Sequence, residues 1–280
     1  MKRQIMKPLT PAAVHAFQAT VYAYYEKEGR HELAWRRTSD PYRILVSEFM
    51  LQQTQVPRVI AKYQEFIAAF PSITTLVRAP LQEVLRVWSG LGYNRRALSL
   101  KKAAERIVAE HQGRVPREPE ILATLPGIGP ATAAEIAAFA FGKAVPFIET
   151  NIRAVFIHEF FAKKKRVSDA EILPLVEQTL DRDDPRRWYY ALMDYGVMLK
   201  KRVENPSRKS AHHVKQARFE GSNREKRGML LKALTQQQGG IALQELSKAT
   251  GLGRDEVKTV IAALKREGFV IERKRRFWIA

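Results

Sequence analysis

The sequence predicts a mainly α-helical protein that ends in a small module closed by a β-hairpin. Three observations lead there. Apolar residues recur at helical spacing through most of residues 11–201, with no convincing strand pattern in that range. Glycine turns punctuate these runs at Ser89-Gly90-Leu91-Gly92-Tyr93 and at Leu125-Pro126-Gly127-Ile128-Gly129. Near the end, Phe269-Val270-Ile271 and Phe277-Trp278-Ile279 flank a basic turn at 272–276, as two short paired strands would.

The chain has 280 residues and a formal net charge of +19. That length suits two domains, or one large domain with an appendage. The charge implies a polyanionic partner, with nucleic acid ahead of an anionic membrane surface. The N-terminal MKRQIMKPLT lacks an apolar core and no uninterrupted span reaches bilayer length, so no membrane role and a cytoplasmic, nucleoid-associated location are expected. Cysteine is absent. Disulfides, thiolate zinc sites, iron-sulfur clusters and cysteine nucleophiles are thereby excluded.

Residues 11–29 read as an amphipathic helix on Ala13, Val14, Phe17, Val21 and Tyr24 or Tyr25. After a loop, Asp40-Pro41 signals a helix start. The helix that follows contains residues 44–56 and is apolar nearly all round, with Glu48 in its middle. A carboxyl in apolar surroundings has its pKa raised, so Glu48 is a candidate general acid. The plainer alternative is a Glu48 that faces solvent or pairs with an arginine. Gln52 and Gln53, with Thr54 and Gln55, put uncharged polar groups at the helix end, suited to base edges or sugars, or simply to capping. Helices are expected at 59–69, 73–78 and 81–88. Beyond the first glycine turn, Arg95, Arg96, Lys101 and Lys102 line a helix to about His111; Tyr93 suits stacking on a base, or packing in the core.

The stretch 125–151 organises the middle of the chain. Gly127 and Gly129 allow positive φ and close backbone approach. The helix that opens at about Thr132 presents unpaired amides, ready for a phosphate oxygen. Such a hairpin grips a nucleic-acid backbone without reading bases; an ordinary helix–helix turn is the plainer alternative. A Gly/Pro-bearing loop at 142–146 leads to Glu149, which stands before a new helix with Asn151 at its start. That helix runs to about residue 161, and Ser168 with Glu171 forms a capping box for the next one. Pro185 opens another helix, to about 201.

Residues 201–222 are polar, basic and poorly periodic, and read as a linker or phosphate-facing loop. His212-His213 has no third ligand in spacing, so no metal is expected. Residues 223–280 follow a helix, helix, turn, helix, hairpin pattern that resembles a winged helix-turn-helix. Arg273, Lys274, Arg275 and Arg276 would form a basic wing tip, with DNA binding favoured over protein docking.

Taken together, LPGIGPATA, the Pro-bearing loop and the acid at 149 resemble the helix-hairpin-helix (HhH-GPD) DNA glycosylases. Within that superfamily the chain is similar to the MutY-type adenine glycosylases over about residues 11–200, through Leu33-Ala34-Trp35, the run from Ser47-Glu48 to Gln55, residues 88–93 and Ala191-Leu192-Met193-Asp194-Tyr195-Gly196. The resemblance implies a two-lobed helical glycosylase core at 1–200, a basic loop at 201–222 in place of the cluster region, and a winged-helix domain at 223–280. It implies that Glu48 protonates the flipped adenine and that Gln52 and Gln53 enter the duplex near the lesion. Gly127 and Gly129 would hold a phosphate. Glu149 stands where the family keeps a catalytic aspartate, with Asn151 matching a nearby asparagine. Bifunctional relatives carry a lysine two positions after the hairpin glycine; here Ala131 stands there. The implied enzyme is therefore monofunctional and uses water, without lyase activity.

The chemistry agrees with the residues. Breaking an N-glycosidic bond needs an acid for the departing base and a carboxylate for the cationic sugar. The base must first leave the stack, which is least costly when it is mispaired. The chain departs from the family in three ways: Glu149 for aspartate, no four-cysteine cluster after Tyr195-Gly196, and a winged helix in place of the domain that reads oxidised guanine. The expected partner is double-stranded DNA with a damaged or mispaired base, bound by a monomer. Adenine in a mispair is the expected target; thymine, uracil or a modified pyrimidine opposite guanine, or a non-catalytic DNA-binding role, are the alternatives.

Overall fold

The structure is a computed structural model that describes residues 8–213, 218–237 and 239–280. It divides into two compact units. The first comprises residues 1–44, 117–123 and 128–215; the second comprises 45–116, 124–127 and 216–280.

The first unit is built on α1 (Pro11–Glu28), α7 (Pro119–Leu122), α8 (Pro130–Phe141), α9 (Thr150–Phe160), α10 (Asp169–Thr179) and α11 (Pro185–Arg202). Local signals set the helix starts. Thr10 accepts from the Ala13 amide, Ser168 and Glu171 form the expected capping box, and Asp184 accepts from the Arg187 amide. The core is aromatic. Phe17 meets Phe156 and Trp188 edge to face at 5.6 and 5.8 Å, which joins α1, α9 and α11. α11 is further tied to the connection after α1. Its buried Asp194 accepts from the Arg30 amide (2.8 Å), from Arg30 Nε (2.7 Å) and from both Nη atoms of Arg36 (2.7 and 2.9 Å). Burial by itself would raise the Asp194 carboxyl, but the Arg36 hydrogen bond and the two arginine charges outweigh it and hold it below its ordinary value.

The stretch read as a linker is anchored on this unit. Residues 206–209 form a 3-10 turn, Val167 bridges to Ser210, and Ser207 Oγ donates to the Thr150 carbonyl at 3.2 Å. Lys209 donates to the Ala162 carbonyl at 2.7 Å, and Arg208 pairs with Glu204 at 3.0 Å. Residues 214–217 of that stretch lie outside the described residues.

α2 (Pro41–Leu51) runs from the first unit into the second, which holds α3 (Val56–Ala69), α4 (Ile73–Arg78), α5 (Leu81–Trp88) and α6 (Arg95–His111). Phe66 packs edge to face on the fully buried Trp88 at 5.9 Å. The same unit includes α12 (Asn223–Thr235), β1 (Ile241–Ala242), α13 (Leu243–Thr250), α14 (Arg254–Glu267), β2 (Val270–Arg273) and β3 (Arg276–Ile279). The strands form an antiparallel sheet in the order β1-β3-β2. Val270 faces Ile279, as the expected pairing requires, but the turn is tighter than 272–276. Arg273 and Arg276 are themselves partners, and only Lys274 and Arg275 turn the chain, both at positive φ (47° and 59°). Among the described residues no helix is long and apolar enough to cross a membrane.

Candidate functional site

The candidate residues are divided between the units: Glu48, Gln52, Gln53, Tyr93, Gly127 and residues 273–276 belong to the second, and Gly129, Thr132, Glu149 and Asn151 to the first. In the second unit, Glu48 is buried at 7 % exposure beside Val46, Phe49 and Met50, which are fully buried. The solvent-facing alternative for Glu48 therefore does not hold. The helix does not continue to residue 56 as its apolar spacing suggests; it ends at Leu51. The reason is Arg96, which is buried and aims its guanidinium at that end. Nη1 donates to the carbonyls of Phe49 (3.0 Å), Met50 (2.7 Å) and Gln52, and Nη2 donates to Thr54 Oγ1 (2.9 Å) and to the Gly92 carbonyl (3.2 Å). A cation at a helix C-terminus satisfies orphan carbonyls and opposes the helix dipole's negative end. Burial lowers the Arg96 pKa to about 10. This one side chain thus fixes both the turn that presents Gln52 and Gln53 and the first glycine turn. Gln53 is exposed at φ 54°, and Gln52 Nε2 donates to the Gly127 carbonyl at 3.2 Å.

Gly127 has φ 80°, and a Cβ there would meet Ser99 Cβ at 2.6 Å and Phe49 Cε1 at 2.9 Å. Gly129 differs from the expectation of positive φ. It is the extended N-cap of α8 at φ −88°, with open space where a Cβ would stand. Pro130 and Ala131 follow, and Thr132 is half-buried on the first turn of α8. Tyr93 sits at φ 47° with its hydroxyl accepting from Arg224 at 2.8 Å, so its ring is held rather than loose in the turn. Arg273, Lys274, Arg275 and Arg276 are all exposed at the hairpin end; Arg276 turns back to donate to the Gly240 carbonyl at 2.6 Å.

In the first unit, Glu149 is the N-cap of α9. Its Oε1 accepts from the amides of Asn151 (2.6 Å) and Ile152 (2.7 Å), and its Oε2 accepts from Asn151 Nδ2 at 3.1 Å. Burial raises the Glu149 pKa; the two amide hydrogen bonds and the charges of Lys200 and Arg153 pull the other way without reversing it. Arg153 is itself committed to Asp169 by two bonds of 2.7 Å. Lys200, on α11, is held below its ordinary pKa by burial. Local pattern does not mark Arg96, Lys200 or Arg153 as site residues, because what matters is where their groups end in space; the run 191–196 is a signal that points to α11, the helix of Lys200.

Among the described residues no set of three or more His, Cys, Asp or Glu side chains could hold a metal ion. With no cysteine in the chain, thiolate ligation of an iron-sulfur cluster does not fit this protein.

Residues 46–177 match the HhH-GPD superfamily of base excision DNA repair proteins. The chain is 39% identical over 156 residues to an adenine DNA glycosylase of Mycobacterium tuberculosis, covering 55% of this chain and 51% of that one. It is 34% identical over 198 residues to the adenine DNA glycosylase of Homo sapiens, covering 66% and 36%. The chain thus spans about half the length, or less, of these curated relatives. Among solved structures it is similar to a thermostable thymine-DNA glycosylase, with TM-score 0.60, 25% identity and coverage of 69% of this chain and 90% of that one. It shares its fold with endonuclease III in a trapped DNA covalent intermediate, at TM-score 0.58, 18% identity and coverage of 67% and 86%. Residues 46–177 thus make up an HhH-GPD segment, just under half of the chain.

Proposed function

We propose that this protein is a monofunctional DNA glycosylase of base excision repair that hydrolyses the N-glycosidic bond of a flipped base, with adenine in a mispair as its substrate. The carrying observation is the burial of Glu48 in an apolar helix, within the 46–177 segment that matches the HhH-GPD superfamily. A buried carboxyl is suited to keep a proton for the departing base. Glu149 is assigned to the developing sugar cation and the attacking water, with Asn151 holding its carboxylate. Oε2 accepts from Asn151 Nδ2 and has a second lone pair, which supports a role toward substrate. Ala131 offers no amine for an imine, so strand cleavage by that route is not expected. The hairpin at 125–132 and the exposed 273–276 wing of the winged-helix module, residues 223–280, are assigned to phosphates.

A second reading has its own support: Glu149 lengthens the expected aspartate, and the thymine-DNA glycosylase is matched over 90% of its length. The substrate would then be thymine or uracil opposite guanine. Base release from defined duplexes, read with and without alkali, separates the two. Adenine release that needs alkali supports the first; thymine or uracil release supports the second. No release from any duplex, or full activity in Glu48→Gln, would sink the assignment of Glu48.

A further inference from the structure

The C-terminal module is docked on the helical part of its own unit through α12. Gln82 of α5 donates Nε2 to the carbonyls of Thr235 (3.3 Å) and Gln237 (2.7 Å) at the end of α12. Glu267, the last residue of α14, accepts from Arg95 at the start of α6 (2.8 and 2.7 Å) and from Arg227 of α12 (2.8 and 2.5 Å). The Arg95 hydrogen bond, then Arg227, hold the Glu267 carboxyl down to about 2 against its burial. One carboxylate therefore clamps a guanidinium of the helical part and a guanidinium of the module.

One turn before Arg227 on α12 is Arg224. Its Nη1 donates to the Tyr93 hydroxyl at 2.8 Å, and its guanidinium lies 5.8 Å from the centroid of the Tyr93 ring. The Arg96 guanidinium lies 5.4 Å from the same centroid. Tyr93 itself stands at φ 47°, which a bulky residue keeps only where its surroundings over-determine it. Those surroundings include Arg96, which also holds the end of α2, and Arg224, which comes from the module. The glycine turn at 89–94 is thus shaped from both sides.

We infer that Arg224 is a positioning residue that holds the Tyr93 ring for contact with DNA, making the C-terminal module a working part of the 89–94 turn in addition to the phosphate contacts assigned to its wing. The inference rests on the DNA-binding part of the function proposed above, not on base release. A phenol held by its hydroxyl and flanked by guanidiniums is pre-organised, so less freedom is lost when DNA binds.

The test uses the full chain and two labelled duplexes, one carrying a tetrahydrofuran abasic-site analogue and one undamaged. The preference for the first is measured by fluorescence anisotropy for the wild type, Arg224→Ala, Arg224→Lys, Tyr93→Ala and the Arg224→Ala/Tyr93→Ala double variant. Expected is a loss of preference of about tenfold in each alanine variant, no further loss in the double variant, and partial recovery in Arg224→Lys. Thermal unfolding midpoints confirm that each variant is folded; if Arg224→Ala is not, Arg224→Met carries the same comparison. Losses that multiply in the double variant overturn the inference. So does an Arg224→Ala effect equal on both duplexes, which would mark a plain phosphate contact, and so does a wild type with no preference. A preserved preference without base release from any duplex would remove the glycosylase assignment and leave this inference standing.

Discussion

Gly196 of α11 lies directly against the backbone of Asn151, the residue that holds Glu149. A Cβ at position 196 would stand 2.8 Å from the Asn151 Cβ and nearer still to its carbonyl oxygen. Backbone cannot yield as a flexible side chain does, so the helices must separate. Gly196→Ala is expected to destabilise the fold by about 1–3 kcal/mol despite alanine's better helix propensity. It should also slow base release more than Ala191→Gly, which opens space on the same helix. Thermal unfolding and single-turnover base release measure the two effects. An unchanged melting temperature would show that the close approach is not a constraint.

Glu149 links stability to pH with a definite sign. Its folded-state pKa is raised, so its contribution is fully present below the unfolded value and is lost as pH rises through the folded value. Glu149→Gln removes that penalty and can keep the amide bonds to residues 151 and 152. The variant should therefore gain stability relative to the wild type at neutral pH, with the gap closing below about pH 4.5. Denaturant unfolding across this range checks it, and a gap independent of pH contradicts it. Glu149→Asp keeps a good N-cap, and its base release is expected within about tenfold of the wild type.

The two hairpin glycines should behave differently. Gly127→Ala meets Ser99 and Phe49 and carries a positive φ, so a loss of about 1–3 kcal/mol is expected. Gly129→Ala finds open space and an ordinary φ, so folding should change by less than about 0.5 kcal/mol. If the backbone there touches phosphate, Gly129→Ala weakens binding to every duplex alike. Anisotropy on matched and mispaired duplexes decides this, and a selective change of base preference would contradict a phosphate-only contact.

Asp194 should be costly to remove. Truncation leaves Arg36, at 5 % side-chain exposure, with its charge unpaired. Asp194→Ala is expected to lose about 3–5 kcal/mol. Because the Asp194 pKa is lowered in the fold, its stabilisation is present above the unfolded value and is lost as pH falls through the folded one. Asp194→Asn should therefore flatten the acid limb of the stability profile, which urea midpoints from about pH 2 to pH 6 would show.

Most helices of this protein are visible in the chain alone, because caps and the 3.6-residue period are local properties. Ser168 with Glu171, Pro185 at the start of α11 and the helix at 254–267 all stand where their residues predict them. Local pattern misplaced the end of α2, since Leu51 and Val56 continue the apolar spacing while Arg96 captures the carbonyls from another helix. It also missed β1, whose two residues are too short to show alternation.

Helical periodicity, two glycine turns, an excess of basic residues, the lack of a thiol ligand and the set of residues from which a site can be made are all present in the chain as written. Tertiary structure decided which of them are constrained and by what. It made Gly127 a packing and φ requirement while leaving Gly129 open, turned Glu149 into a helix cap with a raised pKa, and tied Tyr93 to Arg224. The physical reason is that periodicity records which face is buried, whereas hydrogen bonds, desolvation and close approach depend on groups distant in the chain that meet only in the fold.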